Sequence, residues 1–231
     1  MEPETKQQIL DAAETLFARK GYKATSLRDL TMNAGVNLAS VNYHFGSKKR
    51  LLEAIFERRL QPLNESRLQK LKEIRKAAGQ QGENPAVREI LKVFIEPVLR
   101  ARESHKGEIF LLNLVGRAFI DLDVTVQEIL RRFMKPLSDC VIETLSKALP
   151  EIPREVIFWR LQFVLGALGR TMFVYRNPAL GKPKEVPDVD PETLLEYLVS
   201  FATKGIEEPG YAKSFKNAPS PGGRKGRRKV K

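Results

Sequence analysis

Between Gly35 and Gly46 the chain reads VNLASVNYHF, and SKK follows at once, so Asn37, Ser40, Asn42, Tyr43, His44 and Lys48 crowd into a very short stretch. Amides, a hydroxyl, a phenol, an imidazole and an ammonium together suit phosphate oxygens and base edges better than bond-breaking chemistry. A metal is not indicated, because His105 is the only other histidine and no ligand spacing exists. Lys48, Lys49 and Arg50 open the next helical segment with the charge that a helix N-terminus disfavours, by a few tenths to about 1 kcal/mol. A phosphate on that N-terminus would meet free backbone N–H groups and Lys48 together. Simple solvation of the three cations is the alternative at this level.

Three helices must position these groups. Apolar residues at Ile9, Ala12, Ala13, Leu16 and Phe17 predict a first helix, opening with a Thr5–Gln8 capping pair and stopping at Gly21. A second starts at Ser26 with Asp29 as its capping partner, buries Leu27, Leu30 and Ala34, and ends at Gly35. The third runs from its cap Asn37 to Phe45. On a helical wheel Leu38, Val41 and Phe45 face one side and Ala39, Ser40, Tyr43 and His44 the other, with Asn42 at the margin. Two short helices joined by a glycine turn, the second with a polar face, are the sequence form of a helix-turn-helix. Tyr43, His44 and Lys48 then fall along one edge and resemble a phosphate clamp, with the Tyr43 ring expected to pack in part on the first helix.

A long helix follows Ser47 and is expected to reach Arg75, with Pro62 kinking or interrupting it and a loop over 79–85. Further helices are expected near 86–104, 107–121, 123–149, 154–177 and 191–207, and no stretch alternates as a strand. The fold class is therefore all-α, about nine helices. Its expected organisation is a helix-turn-helix domain over 1–60, a helical bundle over 61–208 and a basic, disordered tail over 209–231.

The net charge of +12 misleads until it is located: Lys213, Lys216, Arg224, Lys225, Arg227, Arg228, Lys229 and Lys231 all lie in the tail, which has no acid. Added DNA affinity, lipid anchoring and plain solubility are all open roles for it. The lone cysteine, Cys140, excludes a disulfide framework within the chain and fits a reducing, cytoplasmic setting. No leader or spanning segment is legible, so no membrane partner is expected. No Gly-x-Ser-x-Gly, phosphate-binding glycine loop or cysteine–histidine pair is present, which argues against an enzyme, and no cofactor is expected.

The run ILDAAETLFARKGYKATSLRDLTMNAGVNLASVNYHFGSKKRLLEAIFERRL resembles the DNA-binding domain of the TetR family of bacterial transcriptional regulators. The resemblance implies a homodimer, usually a repressor, that binds a palindromic operator and carries a C-terminal domain for effector binding and dimerisation. It also implies that Thr25 and Arg28 meet the DNA backbone, that Asn37, Ala39, Ser40 and Asn42 approach base edges, and that Tyr43, His44 and Lys48 hold phosphates. Asn42 departs from the family's more usual aromatic residue; an amide there can pair with adenine.

The segments ERRLQPLNESRL and FWRLQFVLGALGRTM are similar to a narrower, fatty-acid-responsive, PsrA-type branch. That likeness implies a small hydrophobic effector such as a fatty acid or acyl-CoA. Candidate ligand-binding residues are Phe110, Leu114, Arg117, Phe119, Phe133, Trp159 and Phe163, with Arg117 or Arg160 facing an acidic head group. An internal ion pair with Glu108, Asp121 or Glu155 is the competing role for those arginines. Family analogy makes helices 154–177 and 191–207 the dimer contact, aided by the small residues Gly166 and Gly169.

Overall fold

The computed structural model describes residues 2–100, 123–176 and 188–209, and these form helices with no strand among them. In chain order they are α1 (Glu2–Lys20), α2 (Leu27–Ala34), α3 (Leu38–Phe45), α4 (Lys48–Gln81), α5 (Val87–Arg100), α6 (Val124–Ala148), α7 (Arg154–Arg176) and α8 (Pro191–Glu207). The expected helix over 107–121, the candidate ligand residues Phe110, Leu114, Arg117 and Phe119, and the basic part of the tail lie outside the described residues.

Local chemistry sets most boundaries. Ser26 Oγ accepts from the Asp29 N–H at 3.0 Å while the Ser26 N–H donates to Asp29 Oδ2 at 2.9 Å, a complete capping box on α2. Gly35 ends α2 with φ of +66°, where a side chain would be strained. Asn37 Oδ1 caps α3 by accepting from the Ser40 N–H at 2.8 Å. Ser47 caps α4 through the Arg50 N–H at 3.1 Å. Two expectations are corrected. The first helix begins at Glu2, so Thr5 lies inside its first turn and not at its N-cap. Helix α4 continues past Arg75 and through Gly79 to a left-handed cap at Gly82, and Pro62 sits within it without ending it.

Two cores result. One gathers Ile9, Leu16 and Phe17 of α1, Leu30 of α2, Val41 and Phe45 of α3, and Leu51, Ile55 and Phe56 of α4. The other joins α5, α6, α7 and α8 around Ile90, Leu91, Ile95, Val141, Ile157 and Val199. The change of core falls inside one continuous helix, since α4 supplies Leu60 and Leu63 to the first core and Leu68 and Leu71 to the second. Helix α6 crosses the same line, with Ile129 in the first core and Leu137 in the second.

Candidate nucleic-acid interface

Helix α3 presents the expected groups unevenly. Val41 and Phe45 lock it to the core, leaving Asn37, Ala39, Asn42 and Tyr43 exposed and Ser40 and His44 half-buried. Arg28 on α2 is exposed beside them. Asn37 Oδ1 accepts from both the N–H and, at 3.0 Å, the hydroxyl of Ser40, so its carbonyl serves the cap and its NH2 is the group left to read a base. The Tyr43 ring is exposed, where partial burial was expected, and meets His44 edge-on, centroids 5.1 Å apart, while Tyr22 abuts Phe17 of α1 at 5.4 Å.

Thr25 is a correction. It is fully buried, its hydroxyl donating to the Gly21 carbonyl at 2.8 Å, so it braces the α1–α2 turn and cannot reach a phosphate. Lys48 is also engaged: its Nζ donates to the carbonyls of Tyr22 at 2.9 Å and Thr25 at 2.8 Å and stands 4.4 Å from the Tyr22 ring centroid. Desolvation lowers the Lys48 pKa, against the pull of Asp123. Burial raises that of Tyr22, with Asp123 and Glu53 adding to the shift. The cation at the start of α4 thus ties the α1–α2 turn to that helix, and at most one N–H remains for DNA.

Leu38 has the spacing of a residue on the buried side, yet it is half exposed. With Met32 of α2 it adds apolar surface beside the polar face, suited to a thymine methyl. Its place in the apolar stripe hid this.

The candidate effector residues fare differently. Half-buried Phe133 stacks on Phe56 at 5.7 Å in the seam between α4 and α6. Trp159 and Phe163 point outward, 58% and 69% exposed, and are joined by exposed Tyr197 and Phe201 on α8. Arg160 pairs with no carboxylate among the described residues: its guanidinium donates to the carbonyls of Ile206, at 2.6 Å, and Glu208, closing the C-terminus of α8.

Residues 9–55 match the family model for bacterial regulatory proteins of the tetR family, and residues 92–205 match that for the tetracycline-repressor-like C-terminal domain, together well over half of the chain. The chain belongs to the TetR family. Its relatives include the negative transcriptional regulator IcaR of the biofilm operon icaADBC in Staphylococcus aureus, 46% identical over 48 residues, and the probable regulator YttP of Bacillus subtilis, 40% identical over 53 residues. Those alignments cover 21% and 23% of this TetR-family chain and 26% of each relative, about a quarter of their length. NalD, a repressor of a multidrug efflux pump in Pseudomonas aeruginosa, shares the fold with a TM-score of 0.60 at 20% identity, over 89% of this chain and 97% of NalD. Among the described residues of this TetR-family member no helix is long and apolar enough to cross a membrane.

Proposed function

We propose that the protein is a homodimeric repressor that holds a palindromic operator through α3 of each subunit and releases it when a hydrophobic small molecule enters the C-terminal bundle. The observation that carries this reading is the α3 face, where Asn37, Ala39, Asn42 and Tyr43 are exposed while Val41 and Phe45 fix the helix below. In this reading Asn37, Ala39, Ser40, Asn42 and Leu38 approach bases, and Arg28, Tyr43 and His44 approach phosphates. The outward aromatics of α7 and α8 support a subunit contact, and exposed Gly166 and Gly169 have open space where a Cβ would stand, leaving room for a facing helix. A dimer sets two recognition helices about 34–36 Å apart, on successive major grooves.

Coupling would run through the α4–α6 seam, where Lys49 pairs with Glu128 at 3.4 Å, Glu53 with Arg132 at 3.1 Å and Phe56 with Phe133. An effector that favours wrongly spaced recognition helices lowers DNA affinity by the factor by which DNA lowers effector affinity. A long-chain fatty acid or acyl-CoA is the effector we put first. The test measures affinity for DNA upstream of the protein's own gene against scrambled DNA at fixed salt, with and without a long-chain acyl-CoA. Selective binding weakened by the acyl compound is expected; selective binding unchanged by it would move the search to other apolar effectors, and equal binding to random DNA after a selection for sites would end the regulator reading.

A further inference from the structure

Arg67 of α4 is 3% exposed, and its surroundings do not answer its charge. Its Nη1 donates to Asn64 Oδ1 at 3.4 Å, and Asn64 is held in turn by donating from Nδ2 to the Phe133 carbonyl at 3.0 Å. The guanidinium carbon lies 5.9 Å from the Phe94 ring centroid, beside fully buried Leu71 on the next turn of α4. Nε and Nη2 find no hydrogen-bond partner among the described residues. Arg58 Nη2 is likewise without a hydrogen bond, but it rests in ion-pair contact with Glu14. Arg160 is also buried and meets no described carboxylate, but backbone carbonyls take its donors; among the described arginines only Arg67 combines burial with a guanidinium edge that neither a carboxylate nor a carbonyl meets.

Arg59, two turns earlier on the same helix, shows what that edge does when an anion faces it: Nε and Nη2 grip the two oxygens of Glu14 at 2.8 and 3.0 Å. Arg67 turns the same pair of donors into an apolar setting. Burial draws its pKa down only to about 10, so the guanidinium keeps its charge at neutral pH. A buried charge without a counter-charge is costly, whereas an apolar side chain would fill the space without penalty.

We propose that Arg67, oriented by Asn64, anchors an effector site where α4 meets α5 and α6, and that the site takes a small organic anion: a carboxylate gripped by Nε and Nη2, on an apolar body lying against Phe94. This rests on the effector-responsive reading above. It moves the anionic head group from Arg160, whose donors close α8, to Arg67, whose donors face no carboxylate of the described chain. A planar two-oxygen acid matches the fork, and the neighbours Phe94 and Leu71 select an apolar tail.

The test compares decanoate with uncharged methyl decanoate on the full-length wild type, Arg67→Met and Arg67→Lys, reading melting temperature, binding by calorimetry and operator affinity together. Wild type should bind decanoate roughly ten-fold or more tighter than the ester, the factor expected of charge-assisted hydrogen bonds. Arg67→Met should erase that preference and, without ligand, melt at or above the wild-type temperature; Arg67→Lys should keep the preference for the acid at reduced affinity. Equal binding of acid and ester by wild type, no binding of decanoate, or a ligand-free Arg67→Met that melts several degrees lower, as when an internal ion pair is broken, overturns the anchor. If decanoate binds through Arg67 yet leaves operator affinity unchanged, the anchor stands and the repressor-release reading falls. If the ester frees DNA equally from wild type and Arg67→Met, the release reading stands and the anchor falls.

Discussion

Lys48 shows how one side chain can resolve a conflict that its sequence position creates. A cation in the first turn of α4 opposes the helix dipole, and sequence alone offers a phosphate as the remedy. The fold supplies two carbonyl oxygens, of Tyr22 and Thr25, which only tertiary placement brings within reach. Lys48→Met should therefore destabilise the domain by about 1–3 kcal/mol, the range for hydrogen bonds to a charged group. It should leave the slope of log affinity against log salt unchanged, and a slope shallower by about 0.9 would return a phosphate contact to Lys48. Asn42 is exposed on α3 and belongs to the opposite category. Asn42→Ala should reduce discrimination between operator and scrambled DNA by about 1–3 kcal/mol while leaving scrambled-DNA affinity intact, measured by competition at one salt concentration.

At the scale of elements, the sequence spoke most clearly where a backbone group and a side chain lie within a few residues of each other. Ser26 with Asp29, Asn37 with Ser40, and the glycines at 35 and 46 were legible because capping is local chemistry. Ser26→Ala should cost about 1 kcal/mol in thermal or denaturant unfolding, the usual worth of an N-cap. Hydrogen bonds from the Ser26 side chain and backbone, and then from Lys20, hold the Asp29 carboxyl well below the usual carboxylate range. A depressed folded pKa stabilises fully above the unfolded value of about 3.9 and is lost as pH falls below it. The melting-temperature gap between wild type and Asp29→Asn should accordingly hold from neutrality to about pH 5 and narrow steadily at lower pH. Less legible were Pro62, which α4 absorbs, and Leu38, whose apolar spacing is that of a core residue. Whether a proline breaks a helix or a stripe is covered depends on what packs against it, and one sequence does not state that. Arg160 was hard to read for the same reason: the Ile206 and Glu208 carbonyls that it serves are brought to it by the fold.

For the whole molecule, the outward aromatics of α7 and α8 matter most. Trp159, Phe163, Tyr197 and Phe201 have the helical spacing of core residues, so sequence cannot separate them from an effector pocket, yet in the single chain they stand in solvent. Large exposed aromatics grouped on adjoining helices mark an association surface, and symmetric pairing is the commonest way to cover one. Phe163→Asp places a charge in that surface without touching the buried stripe of Val156, Leu161, Val164 and Leu168 behind it. The variant should keep its helical content and melt cooperatively but sediment as a monomer. Operator affinity should fall by about 100-fold or more, because each half-site then binds alone and the second contact no longer benefits from a high effective concentration. Trp159, the single tryptophan, supplies an internal check: its emission should lie further to the red in Phe163→Asp than in wild type, and wild type should approach the same spectrum on dilution. A variant that still sediments as a dimer, with unchanged emission, would place the subunit contact elsewhere and leave the α7–α8 face for another partner.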